Sequence, residues 1–150
     1  MLIAIGCDEA ALELKEILKL LLQEKGHEVE DFGTFDTKPV LYPDIAFAAA
    51  QSIVDGRNER GVLLCGTGIG MAISANKVPG IRAAQAHDTY SAERARKSND
   101  AQIITMGARV IGPELAKFIL GAWLNSEFEP LRSGAKVARI RKYEEDIRAK

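Results

Sequence analysis

The stretch Val62-Leu63-Leu64-Cys65-Gly66-Thr67-Gly68-Ile69-Gly70-Met71 restricts the possible folds of this chain more than any other. Three apolar residues led in by Gly61 read as a strand buried on both faces, and the run from Met71 to Lys77 reads as a short helix. The glycines at 66, 68 and 70 therefore occupy the turn between them. Such a turn exposes its residues at a sheet edge. Glycines at alternate positions let the backbone approach a ligand closely, and the unpaired N–H groups of the first helical turn direct partial positive charge at the same point. The turn is expected to bind an anion.

The rest of the chain repeats the alternation. Leu2 to Ile5 form an apolar run ending at Gly6-Cys7-Asp8, after which Leu14, Ile17, Leu18, Leu21 and Leu22 recur at helical spacing up to Gly26. His27 to Phe32 predict a second strand, Thr34 to Pro43 a polar loop, and Ala46, Ala49, Ala50 and Ile53 a helix opened by Pro43-Asp44. Beyond the glycine turn, Ile81 to Ala84 predict a fourth strand, Thr89 to Lys97 a helix, and Gln102 to Met106 a fifth strand. Pro113 opens a helix carrying Leu115, Phe118, Ile119, Ala122 and Trp123. Val137, Ile140, Tyr143 and Ile147 outline a charged amphipathic C-terminal helix, over about 133–148, reaching beyond the core.

Strands alternating with helices predict an α/β fold, with a five-stranded parallel sheet covered on both faces and right-handed crossovers. At 150 residues the chain fits one domain with one core. Ligands in such sheets collect at the carboxyl ends of the strands. Three polar turns fall there: Cys7-Asp8-Glu9, Cys65 to Gly70, and His87-Asp88.

Cys65 stands where the strand ends and the N–H donors begin. Thiols ionise near pH 8.5, roughly, and a helix N-terminus lowers that value, so a cysteine here can serve as a base. A base beside an anion hole suits proton abstraction next to a carbonyl, with the N–H groups holding the enediolate oxygen. The plainer reading makes Cys65 a small apolar residue closing a strand. The adjoining glycines favour chemistry.

Other arrangements exclude more than they add. Met71 stands where a dinucleotide fingerprint has its third glycine, and the turn lacks the Lys-Ser/Thr ending of a nucleotide P-loop, so no cofactor is expected. Two histidines and two cysteines far apart offer no metal-ligand spacing. Twenty Lys and Arg against 21 Asp and Glu give no field for nucleic acid. Two isolated cysteines, no basic leader and no spanning apolar run point to the cytoplasm and away from membranes.

His27 reads as the exposed start of a strand. His87 either works beside Asp88 or merely neighbours it while Asp88 caps the next helix. Asp8 reads first as a helix cap. Arg132 and Lys136, four apart, either face solvent or share a phosphate.

Taken in order, Ile5-Gly6-Cys7-Asp8, Tyr42-Pro43-Asp44, Leu64 to Gly70, Ala75-Asn76-Lys77-Val78-Pro79-Gly80-Ile81-Arg82 and Ser98-Asn99-Asp100 resemble the ribose-5-phosphate isomerase B family, which includes the galactose-6-phosphate isomerase subunits. The resemblance implies a Rossmann-like three-layer αβα sandwich and a homodimer with sites between subunits, pairing of dimers being left open. It also implies cofactor-free interconversion of aldose and ketose phosphates, of the ribose 5-phosphate/ribulose 5-phosphate type. It carries over Cys65 as the base, Gly66, Gly68, Gly70 and Thr67 as the enediolate hole, and Asp8, Tyr42 and Asn99 as ligands of sugar hydroxyls. Arg132 matches a phosphate ligand delivered to the partner's site.

Three positions depart from the family pattern. Glu9 stands for a usual histidine, Ser98 for the histidine that opens a furanose ring, and Lys136 for a second phosphate-binding arginine. The stretch from His87 to Ala95 and that from Ala101 to Arg109 are instead similar to members that isomerise tetrose phosphates such as erythrulose 4-phosphate. A 4-phosphorylated tetrose has no hydroxyl free to close a furanose, so its enzyme needs no ring-opening histidine. The alternatives are that His87 replaces the ring missing at Ser98, or that the chain is a non-catalytic sugar-phosphate-binding subunit.

Overall fold

The computed structural model describes residues 1–150. Its strands are β1 (Leu2–Cys7), β2 (Glu28–Asp31), β3 (Arg60–Cys65), β4 (Ala83–Gln85) and β5 (Ile103–Gly107), and its helices α1 (Leu12–Glu24), α2 (Tyr42–Val54), α3 (Ile69–Ala75), α4 (Thr89–Lys97), α5 (Pro113–Leu124) and α6 (Pro130–Arg148). All strand pairs are parallel, in the order β2-β1-β3-β5-β4. The expected α/β architecture with five parallel strands is present. What the alternation did not foretell is the insertion of β5 between β3 and β4. Burial explains it: every residue of β5 is buried, as a central strand requires, whereas β4 is short, half-buried and ends in exposed Gln85.

The pleat divides the core into two layers. Ile3, Ile5, Val62, Leu64, Ile104 and Met106 pack under α1, α4 and α5, while Ala4, Leu63, Cys65 and Ile103 pack under α2 and α3. Trp123 is the largest buried side chain, filling the first layer. The two cysteines consequently face opposite layers and form no disulfide.

Boundaries differ from the sequence expectation where side chains do backbone work. β4 starts two residues late, because the Asn76 amide occupies its outer edge: Nδ2 donates to the Ala83 carbonyl at 2.9 Å and Oδ1 accepts the Ala83 N–H at 2.7 Å. The side chain stands in for a neighbouring strand and covers the open edge. α3 begins at Ile69 rather than after Gly70, with Gly68 as its N-cap, so one of the three glycines lies inside the helix. α6 keeps only Ser133 and Val137 buried, and Glu144 ties it back by accepting the Gly80 N–H at 2.9 Å. No helix is long and apolar enough to cross a membrane.

Candidate active site

β3 carries Cys65 to the carboxyl edge, opposite Gly107 on β5. The chain then reverses through Gly68, whose φ of +79° is open to glycine and strained for other residues. That conformation turns the Gly68 N–H back onto the Cys65 sulfur, where it donates to Sγ at 3.1 Å. Only 5% of Cys65 is exposed, so the thiol sits on the floor of the turn. Thr67, one residue before the cap of α3, accepts the Ile69 N–H on Oγ1 at 3.2 Å. Gly70 has no room for a side chain, because the ring of Tyr42, at the start of α2, lies where a Cβ would stand. Tyr42 thus roofs the first turn of α3.

The neighbouring strand ends supply the surroundings. Asp8 ends the β1 turn and accepts the Ala10 N–H at 3.0 Å, which is the capping role; the helix it caps is a short 3-10 turn, Glu9–Ala11, leading into α1. Burial and the adjoining Glu9 lift the Asp8 carboxyl above its ordinary range, against the pull of local N–H groups and Arg109. Glu9 accepts the Val40 N–H at 3.2 Å and so fastens the 32–41 loop over this edge. His87, after β4, accepts the Gly107 N–H on Nε2 at 2.8 Å. Burial holds the imidazole below its usual ionisation range, opposed by Asp88, so the ring is neutral at pH 7 with its proton on Nδ1. Asp88 caps α4 through the Ser91 N–H.

Three residues not singled out from sequence complete this edge. Thr105 donates to the Gly68 carbonyl at 2.7 Å, Gln85 donates to the Thr67 carbonyl at 2.8 Å, and the Arg109 guanidinium lies 3.4 Å from where a Cβ on Gly66 would be. A hydroxyl inside the apolar strand Ile103 to Met106 was the available signal for Thr105, since a buried donor needs a partner.

Asn99, Arg132 and Lys136 lie elsewhere. Asn99 sits between α4 and β5 and the two cations at the start of α6, all exposed and at the amino edge of the sheet. From Gly61, paired with Ile103, to Cys65 the strand rises about 13 Å, so these side chains and Cys65 of one chain stand at opposite edges. The grooves of the single chain also avoid Cys65. The largest, about 400 Å³, lies between α1 and α5 beside Leu21 and Phe118, and another of about 380 Å³ joins Asn99 to Arg82, Ile140 and Glu144. The thiol turn opens onto uncovered surface.

Cys7 serves as an internal contrast. Fully buried under α1, its thiol is pushed up to about 12 by desolvation and is inert. No three His, Cys, Asp or Glu side chains come together in a way that could hold a metal ion.

The family described as Ribose/Galactose Isomerase matches residues 3–140. The chain belongs to that family. Within the ribose/galactose isomerase family it is 60% identical over 143 residues to a D-erythrulose-4-phosphate isomerase of Pectobacterium atrosepticum, covering 95% of this chain and 94% of that one. It is 61% identical over 137 residues to a ribose-5-P isomerase B of Listeria innocua, covering 91% and 93%. Among solved structures, ribose-5-phosphate isomerase B of Clostridium thermocellum superposes with a TM-score of 0.96 at 41% identity, over 98% of this chain and 99% of that one. The three-layer sandwich expected from the resemblance is thereby the fold of this family member.

Proposed function

We propose that this member of the ribose/galactose isomerase family interconverts an aldose phosphate and a ketose phosphate, with Cys65 moving the proton between carbons 1 and 2. The observation that carries the reading is the Gly68 N–H aimed at the Cys65 sulfur at 3.1 Å, on the floor of the glycine turn. The thiolate removes the proton from carbon 2 of the aldose, and the electron pair moves into the carbonyl to give an enediolate. N–H groups of Gly66 to Gly70, with the Thr67 hydroxyl, hold the oxygen on which charge develops. Passing the hydroxyl proton from oxygen 2 to oxygen 1 and returning the carbon-bound proton to carbon 1 yields the ketose.

Asp8 and Tyr42, on the same edge, hold sugar hydroxyls, and Glu9 acts on the site through the loop it fastens. Arg109 offers a planar fork for phosphate from the same chain. Arg132, Lys136 and Asn99, being at the opposite edge, act in the site of a second copy. A homodimer joined over the uncovered thiol turn supplies the wall that one chain lacks.

The substrate favoured is a four-carbon sugar phosphate rather than a pentose phosphate. A ring-opening base must take a hydroxyl proton, and Ser98 offers no imidazole. His87 does not substitute freely, because its Nε2 lone pair already accepts the Gly107 N–H. It serves as a neutral donor through Nδ1. Steady-state turnover of erythrulose 4-phosphate and ribose 5-phosphate tests this: kcat/KM is expected to be at least tenfold higher, roughly, for the tetrose. Ser98→His should raise only the pentose reaction. Equal or better turnover of ribose 5-phosphate by the native chain would overturn the substrate assignment.

A further inference from the structure

The register sets three side chains in a row beneath the thiol turn: Leu63 on β3 pairs with Thr105 on β5, which pairs with Gln85 on β4. The alternation of the pleat puts all three on the face of Cys65, under α3. Leu63 and Cys65 pack in that layer, and Thr105 and Gln85 reach the turn itself. Thr105 is fully buried, whereas Gln85 is exposed at the strand end.

The two polar side chains hold consecutive carbonyls. Gln85 Nε2 donates to the Thr67 carbonyl at 2.8 Å, and Thr105 Oγ1 donates to the Gly68 carbonyl at 2.7 Å. A peptide unit is planar, with its N–H pointing opposite its C=O, so fixing a carbonyl fixes the amide that follows. With the Thr67 carbonyl held by Gln85, the Gly68 N–H is left aimed at the Cys65 sulfur. With the Gly68 carbonyl drawn inward by Thr105, the Ile69 N–H faces outward, towards Thr67 Oγ1 and the open edge. The Gly68 carbonyl also accepts the first N–H of α3, from Ala72 at 3.2 Å, so both its acceptor positions are filled.

We propose that Thr105 and Gln85 are positioning residues that orient the two peptide units of the thiol turn, and thereby set the donor on Cys65 and the donors for the enediolate oxygen. This rests on the reading of Cys65 as the proton-transferring group. A turn carrying two glycines before its helix has many conformations available, and a preorganised hole needs one of them. Strand order supplies the selection, since only β5 placed between β3 and β4 brings a hydroxyl under Gly68 and an amide under Thr67.

The test compares Thr105→Val, which keeps shape and removes the hydroxyl, with Thr105→Ser, which keeps the hydroxyl. It adds Gln85→Leu, an exposed change that leaves the core intact. The first readout is steady-state turnover of erythrulose 4-phosphate. The second is alkylation of Cys65 by iodoacetamide, followed by mass spectrometry and expressed as the ratio of rates at pH 9 and pH 7, which cancels differences in access. Thr105→Val, which frees the peptide carrying the Ile69 N–H, is expected to lower kcat about tenfold with KM within about twofold. Thr105→Ser should restore kcat, and Gln85→Leu, which frees the peptide whose N–H reaches the sulfur, should raise the alkylation ratio about threefold and lower kcat by a smaller factor. Native kcat in Thr105→Val, or equal impairment in the serine variant, would overturn the proposal. So would an unchanged ratio in Gln85→Leu, which decides the matter should the valine variant not fold. Absence of turnover by the native chain on either sugar phosphate counts against the proposed function alone, because the alkylation ratio is read without substrate.

Discussion

At the scale of single residues, the site was legible where one amino acid type has one use, and obscure where a role depends on partners. Cys65 between a buried strand and alternating glycines announces itself, and the structure places a donor on its sulfur. Thr105 and Gln85 are ordinary polar residues until the strands around them are ordered. Arg109 gains meaning only beside Gly66. His87 is an intermediate case: its place at the carboxyl edge could be read from the strand before it, but not its bond from the Gly107 N–H. The burial of the ring has a measurable consequence. Burial lowers the native ionisation range of His87, so the unfolded chain takes up a proton first as pH falls below about 6.5. The unfolded state then binds more protons, and stability rises with pH across that window. Thermal unfolding of His87→Gln should show a shallower loss between pH 7 and 5 than the native chain, in which His27 contributes a dependence of the same sign. An identical pH dependence in the two proteins would contradict the half-buried neutral ring.

Among the elements, helical periodicity and apolar strands located every helix and strand to within a few residues. Strand order was not legible, because it is settled by how many residues each strand can bury. The 32–41 loop was readable as a loop but not as a fastened one. Its anchor is Lys15 of α1, fully buried, which donates to Asp31 at 2.9 Å and to the Thr34 carbonyl at 2.6 Å and lies 4.5 Å from the Phe35 ring. Despite the opposing effect of burial, bonds from Lys19, Lys15 and the Gly33 N–H hold the Asp31 carboxyl below its usual range. From the leucine spacing, position 15 belongs to the flank of the helix and gives no hint of burial. Lys15→Met leaves Asp31 paired with Lys19 but strips the Thr34 carbonyl of its buried donor, so it should destabilise the fold by about 1–3 kcal/mol in urea unfolding. A loss under about 1 kcal/mol would mean that the loop is held by other contacts.

The whole molecule divides its candidate residues between two edges: Cys65, Thr67, Asp8, Tyr42, His87 and Arg109 at one, Asn99, Arg132 and Lys136 at the other. Resemblance to a family already assigned Arg132 to a partner's site, but that Asn99 stands with it at the far edge becomes visible only in the folded chain. Phe47 on α2 and Ile69 and Ile73 on α3 are exposed apolar side chains, available to the proposed second copy. If that copy delivers Arg132, a dimer of one Cys65→Ala chain and one Arg132→Ala chain holds one intact site and one doubly altered site. The deciding measurement is deuterium uptake at carbon 1 of erythrulose 4-phosphate in D2O, catalysed by each variant alone and by the two co-expressed. The account predicts no catalysed uptake with Cys65→Ala, weak uptake with Arg132→Ala, and about one quarter of the native rate from randomly paired chains. Native-like uptake by Cys65→Ala, or a co-expressed mixture no better than the mean of its parents, would contradict a cysteine of one chain acting on a sugar phosphate gripped by the other.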